Sequence, residues 1–265
     1  MNPAEAPRVF ITGASSGIGA ALAREYASRG AILGLTARRP ELLEQLAREL
    51  NTSVAIYPLD VRDSAALHIA ATDFTTRFGP TDIVIANAGV SSGTLTEEAS
   101  DLAVFQEIFD INVMGMVNTF HPFITPMRER RTGTLVGIAS IAGFRGLPGA
   151  SAYSASKAAA ISYLEGLRVE LHGSGIAVTT ICPGYIKTPM TVKNPYPMPF
   201  ILDAEDAARR LIRAIDAKKS FATIPWQMAL VGFFLKCLPN WFYDFAFSKA
   251  GRKPRRAPAV PTIPR

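Results

Sequence analysis

The chain has 265 residues, 48% hydrophobic and 19% charged, which excludes a disordered or low-complexity protein and suits a globular fold with a sizeable core. Its net charge of +6 lies in the tail. Six of the 28 basic residues fall in 248–265 with no acid beside them, so the rest of the chain carries as many acids as bases. That neutral body excludes a basic nucleic-acid groove spread over the fold.

The first apolar run, RVFITGA at 8–14, predicts a strand. TGASSGIG (12–19) overlaps its end and places Gly13, Gly17 and Gly19 at the start of a helix. A helix N-terminus with close-approaching glycines suits a pyrophosphate. A tight strand-to-helix turn would use the same glycines, but their place after the first strand favours a dinucleotide cradle. The second run, 31–37, leads into Arg38 and Arg39, with no acid before Glu41. A nearby acid usually receives the ribose 2′-hydroxyl of NAD, whereas arginine accommodates a 2′-phosphate, so NADP(H) is expected over NAD(H). A helix follows over 40–50, then a strand over 53–60, whose end places Asp60 and Val61 within reach of an adenine.

Further strands are expected at 82–89, 133–140, 177–184 and 220–225, with helical stretches between them. Seven nearly continuous apolar runs with helical crossovers predict one Rossmann-like, doubly wound parallel sheet covered by helices on both faces. Residues 1–225 form the expected catalytic domain, including a substrate loop at 185–203. An apolar extension over 226–250 and a disordered basic, Pro-rich tail over 251–265 follow.

The fifth strand delivers Ser140 to the carboxyl edge of the sheet, where ligands bind in such folds. Thirteen residues on, Tyr153 and Lys157 stand four apart and share a helix face. A neighbouring ammonium favours the phenolate, which would bring the Tyr153 pKa down and let it exchange protons with a substrate oxygen. The alanines after Lys157 leave room for a cofactor. Tyr-x-x-x-Lys alone is weak evidence; its company with Ser140 and the glycine cradle gives it weight.

Over residues 8 to about 225 the chain resembles the short-chain dehydrogenases/reductases with a Tyr-x-x-x-Lys centre. The resemblance rests on TGASSGIG, Asp60-Val61, NAG at 87–89, Asn112, Ser140, YSASK at 153–157, Pro183-Gly184 and Thr188-Pro189, all in order. It implies that Tyr153 is the acid/base, that Lys157 lowers its pKa and holds the nicotinamide ribose, and that Ser140 orients the carbonyl. Asn112 would support a water leading protons toward Lys157. Cofactor contacts would come from Gly13, Ser15, Ser16, Gly17, Ile18, Gly19, Arg38, Arg39, Asp60, Val61, Asn87, Ala88, Gly89, Pro183, Gly184, Ile186 and Thr188. The family often shows two asparagines before Ala-Gly; here Ala86 replaces the first. A homodimer or homotetramer built on the helices after strands four and five is also implied.

The substrate side is expected from Ile141, Ala142, Phe144, Leu147, Tyr185 and Met190, an apolar set suited to an aliphatic, steroid-like or lipid-like carbonyl or alcohol. Arg145 could meet an acid group on the substrate. His68, His121 and His172 are scattered without ligand spacing, so no metal is expected. Cys182 reads as an inert core thiol. With only two cysteines in no pairing pattern, and no signal-peptide pattern in MNPAEAPRVF, a cytoplasmic setting is expected. Both tryptophans lie in 225–247, where MALVGFFL is too short to span a membrane. That segment and the basic residues after it suit either a membrane-surface contact through 226–256 or a dimer contact or lid. A rival function is a non-catalytic NADP(H)-binding sensor or scaffold.

Overall fold

The structure, a computed structural model, describes residues 6–192, 194–248 and 251–255. Seven parallel strands lie in the order β3-β2-β1-β4-β5-β6-β7: β1 (Arg8–Thr12), β2 (Ile32–Ala37), β3 (Val54–Pro58), β4 (Ile83–Ala86), β5 (Gly133–Ile138), β6 (Ile176–Pro183) and β7 (Phe221–Ile224). The order reverses between β1 and β4, which opens a crevice at the carboxyl ends of those strands.

Alternation along each strand feeds two cores. Val9 and Ile11 face one side with Leu33, Leu35, Ile85, Val136 and Ile181. That side is covered by α1 (Gly17–Ser28), α2 (Pro40–Glu49) and α7 (Ala204–Asp216). Phe10, Val84, Leu135 and Val178 face the other, against α3 (Ser64–Phe78), α5 (Gly115–Arg130) and α6 (Ser151–Glu170). Helix α7 shows the cause at sequence level: Ala207, Ala208, Leu211, Ile212 and Ile215 are buried at helical spacing, while Arg209 and Arg213 point outward or to the edge. Its first turn carries Glu205 and Asp206, which suit the positive end of the helix.

Helix α4 (Asp101–Phe109) runs into α5 through one π-helical turn, Asp110–Met114. Such a turn inserts an extra residue and re-aims side chains, and Asn112 lies within it. The apolar extension forms α8 (Gln227–Cys237) and α9 (Asn240–Phe247), separated by Pro239. Of the tail expected to be disordered, residues 251–255 pack on the body, because Arg255 pairs with Glu98 and Asp101. Residues 256–265 lie outside the described residues. Among the described residues, no helix is long and apolar enough to cross a membrane.

Candidate active site

The cradle begins where β1 ends. Gly13 (φ 67°) and Gly17 (φ 58°) adopt left-handed backbone, which is strained for other residues. A Cβ on Gly13 would lie 2.7 Å from Ala88 Cα, and one on Gly19 would lie 2.6 Å from Asn87 Nδ2 and run into the Gly13 carbonyl oxygen. The glycines therefore let the loop close against the end of β4. Asn87 Nδ2 seals that closure by donating to the carbonyls of Thr12 at 3.0 Å and Gly13 at 3.1 Å. The buried Thr12 hydroxyl accepts from the amides of Asn87 and Ala88, both at 3.2 Å. Sequence reasoning passed over Thr12; its signal was a polar residue at the last position of an apolar strand.

A cleft of about 370 Å³ runs from this loop across the switch point. Gly13, Ser15, Ser16, Gly17, Ile18, Arg38, Arg39, Asp60 and Val61 line one end. Asn87, Ala88, Gly89, Ser140, Tyr153, Lys157, Pro183, Gly184, Ile186 and Thr188 line the rest. Arg39 donates to Ser15 Oγ at 3.4 Å, and the exposed Arg38 guanidinium is 3.9 Å from Asp60. Asp60 is committed to Arg62, at 2.7 Å, and that hydrogen bond holds its carboxyl below the usual range. Thr188 lies beside the cradle, its Cγ2 3.1 Å from where a Cβ on Gly17 would sit.

At the other end, Ser140 follows β5 in extended backbone, nearly buried, with its Oγ accepting from the Ala142 amide at 3.1 Å. Tyr153 and Lys157 come from the first two turns of α6. Lys157 is 4% exposed, and its Nζ donates to the Ile138 carbonyl at 2.8 Å and sits 5.9 Å from the Tyr153 ring centroid. Asn112 is fully buried: Oδ1 accepts from the Val90 amide at 2.8 Å, and Nδ2 donates to Val90 O and Ser156 Oγ, both at 3.0 Å. Ser156, another residue not singled out in the sequence, donates to the Tyr153 carbonyl at 2.8 Å. Asn112 and Lys157 converge at Gly89, where a Cβ would stand 3.2 Å from Asn112 Oδ1 and 3.5 Å from Lys157 Nζ.

The electrostatics differ from the expectation that Lys157 lowers the Tyr153 pKa. Burial pushes the phenol up, and a hydrogen bond with Ser140 works in the opposite direction. Burial pulls Lys157 down to about 8. Both charged forms lose hydration in the same cleft, and the lysine spends a hydrogen bond on the Ile138 carbonyl rather than on the phenol. Burial also pushes the Cys182 thiol up to about 12, as suits an inert core thiol.

The expected substrate residues divide. Met190 lines the cleft; Ile141, Ala142, Phe144, Leu147 and Tyr185 are not among the residues that do. Phe144 ends a single 3-10 turn and stacks on Phe221 at 6.1 Å, over Gly232 of α8. Tyr185 packs on Tyr196 with ring centroids 6.4 Å apart. Arg145 does not line the cleft either. It donates to the carbonyls of Leu235 and Leu238, the latter at 2.6 Å, and to Asn240 Oδ1 at 2.9 Å. It also stacks 4.1 Å from the Tyr243 ring. Tyr243 in turn donates to the Gly146 carbonyl at 2.6 Å. The extension is thus clamped to the 141–149 segment.

The residues present suit a nicotinamide dinucleotide. Glycines keep the cradle free of Cβ atoms beside a helix N-terminus, guanidiniums stand at one end, and Lys157 has three donors with one used. The comparisons agree. The short chain dehydrogenase family model matches residues 7–197. The chain is 39% identical over 242 residues, 89% of its own length and 94% of the relative's, to an uncharacterized oxidoreductase of Myxococcus xanthus. It is 32% identical over 271 residues, 94% of this chain and 77% of the relative, to an 11-beta-hydroxysteroid dehydrogenase A of Sesamum indicum. The crystal structure of an alcohol dehydrogenase from Thermococcus sibiricus complexed with 5-hydroxy-NADP superposes with a TM-score of 0.75 at 26% identity, covering 83% of this chain and 96% of that one. The chain belongs to the short-chain dehydrogenase/reductase family and is an oxidoreductase of that class, acting on alcohol or carbonyl groups with a nicotinamide cofactor.

Proposed function

We propose that this chain is an NADP(H)-dependent oxidoreductase that interconverts a carbonyl and a secondary alcohol on a largely apolar small molecule, with Tyr153 as acid/base. The observation that carries this reading is the convergence of Ser140, Tyr153 and Lys157 at the carboxyl edge of the sheet, in one cleft with the glycine cradle. A phenol whose pKa is raised is protonated at neutral pH, so Tyr153 stands ready to give its proton to a carbonyl oxygen. The Ser140 hydroxyl would hold the same oxygen and steady the charge that develops on it. Lys157 would bind the nicotinamide ribose and keep positive charge beside the phenol. Asn112, bonded to Val90 and Ser156, ties the π-helical turn to α6 and to the loop after β4. The cofactor, when bound, supplies or accepts the hydride.

Arg38 and Arg39 support the NADP(H) preference, because both line the cleft and Asp60 is already held by Arg62. The name of the Sesamum relative and the apolar character of Met190, Met198 and Phe200 support a hydrophobic substrate. The test is NADPH oxidation with a panel of hydrophobic ketones, comparing wild type with Tyr153→Phe. Tight NADPH binding without turnover of any ketone would favour the sensor or scaffold reading instead.

A second reading concerns assembly. Trp226, Leu230, Phe233, Phe234, Trp241 and Phe245 of the extension are all more than half exposed, and such a density of exposed apolar side chains marks an interface. It supports peripheral contact of 226–256 with a membrane surface. Sedimentation with anionic vesicles tests it, and a dimer that buries these rings is the competing outcome. Exposed Leu102 at the start of α4, Met114 at the α4–α5 junction and Val169 of α6 support a homodimer or homotetramer built on those helices, which light scattering tests.

A further inference from the structure

Residues 251–255 pass beside Tyr153 as a strap fitted at four points. Its backbone lies directly on Gly93: the Gly93 amide donates to the Pro254 carbonyl at 2.9 Å, and a Cβ on Gly93 would run into the Lys253 carbonyl oxygen. Arg252 packs over Gly149, and Gly251 sits on Tyr196. Arg255 anchors the end, donating to Asp101 Oδ2 at 2.8 Å and Glu98 Oε1 at 3.0 Å. Asp101 is 3% exposed, so one half of that anchor is a buried carboxylate, and it is fixed further by the Leu95 amide at 2.8 Å.

This fit brings one cation up to Tyr153. Lys253 Nζ lies 5.5 Å from the Tyr153 ring centroid and donates to Ser91 Oγ at 2.7 Å. The lysine is half-buried, and among the described residues no carboxylate pairs with it. One donor is used and two remain, beside the Tyr153 ring. Burying an unpaired ammonium costs free energy, and burial pulls this one down to about 8. Arg252 and Arg255 on the same strap point elsewhere, so the position of Lys253 is not a by-product of a generally basic tail.

We propose that Lys253 is a specificity-determining residue that receives a carboxylate or similar small anionic group on the carbonyl substrate, so that the preferred substrate has an apolar body and an acidic end. The proposal rests on the oxidoreductase reading above and names the substrate class for the same cleft. By fastening Arg255 to Glu98 and Asp101, the strap holds the ammonium beside Tyr153.

The probes are 4-acetylbenzoic acid and methyl 4-acetylbenzoate, which share ring and methyl ketone and differ in charge. For the full-length enzyme we measure kcat/KM with NADPH and calorimetric affinity with the NADP+-loaded form. Wild type is expected to favour the acid by about tenfold or more, the worth of one charge-assisted contact. Lys253→Met should lower the acid's kcat/KM by about tenfold and leave the ester within about twofold, and Lys253→Arg should restore most of the loss. Arg255→Ala, which removes the strap's anchor on Glu98 and the buried Asp101, should give a smaller loss confined to the acid. Equal handling of the two probes by wild type, including binding of neither, overturns the proposal. So does a parallel fall for both probes in Lys253→Met, which would mark a structural role. A weaker NADPH affinity with an unchanged acid-to-ester ratio also overturns it, by assigning the cation to the cofactor. Tyr153→Phe keeps the two readings apart: it should stop reduction of both probes while the acid still binds more tightly, and its failure to do so would sink the acid/base assignment alone.

Discussion

Replacing Arg145 with methionine should undock the C-terminal helices without unfolding the sheet. The guanidinium donates to Leu238 O at 2.6 Å, to Asn240 Oδ1 at 2.9 Å and to Leu235 O, and it stacks on Tyr243 at 4.1 Å. Two of those acceptors are carbonyls at the end of α8, which a helix cannot satisfy itself. Arg145 is half-buried, so each hydrogen bond is worth about 1 kcal/mol, less than a fully buried charged bond, and the ring contact about 0.5 kcal/mol. The loss is about 3.5 kcal/mol, or a few hundredfold in the local opening equilibrium. Hydrogen–deuterium exchange should show that loss in α8 and α9, with β1, β4 and β5 unchanged. Unaltered protection in α8 would refute the clamp, and a uniform loss across the sheet would refute the idea that the extension opens separately.

Other expectations follow from the cleft. Gly19→Ala drives a methyl group against Asn87 Nδ2 and the Gly13 carbonyl, so overpacking of about 2 kcal/mol should lower the melting temperature and weaken NADPH binding together; normal values of both contradict the cradle geometry. Joint replacement of Arg38 and Arg39 by alanine should weaken NADPH at least tenfold and change NADH less than about twofold, read by cofactor fluorescence. Lys157 should also show in the pH dependence of stability. Its pKa is about 8 in the fold against an ordinary 10.5, so the unfolded chain binds more protons between those values. The cofactor-free wild type should therefore gain stability relative to Lys157→Met as pH rises from about 8 to 10.5, and denaturant midpoints that stay parallel across that window would contradict the buried ammonium.

The parts of this molecule that are local in sequence were legible there. Strand positions followed from short apolar runs, and the cradle from glycines within eight residues of one another, because both depend on neighbours along the chain. What escaped depends on partners far away. Arg145 read as a substrate ligand, yet its partners lie 90 to 95 residues on, in helices whose placement no periodicity encodes. Phe144 read as a pocket residue, but α8 offers it a flat surface at Gly232. The tail read as disordered from its composition, and 251–255 instead packs because two acids near the start of α4 stand ready for Arg255. The sign of the Tyr153 shift was missed for a similar reason: helical spacing shows that two groups are close, not how much water both have lost.

The central claim is that the Tyr153 hydroxyl gives and takes the substrate proton in the short-chain dehydrogenase/reductase cleft. Single-turnover oxidation of bound NADPH, followed in the Tyr153→Phe enzyme with a ketone that wild type reduces, tests it most directly. The rate should fall by about a thousandfold while NADPH affinity stays within about twofold, since only the proton donor is removed. Hydride transfer at the wild-type rate would contradict it.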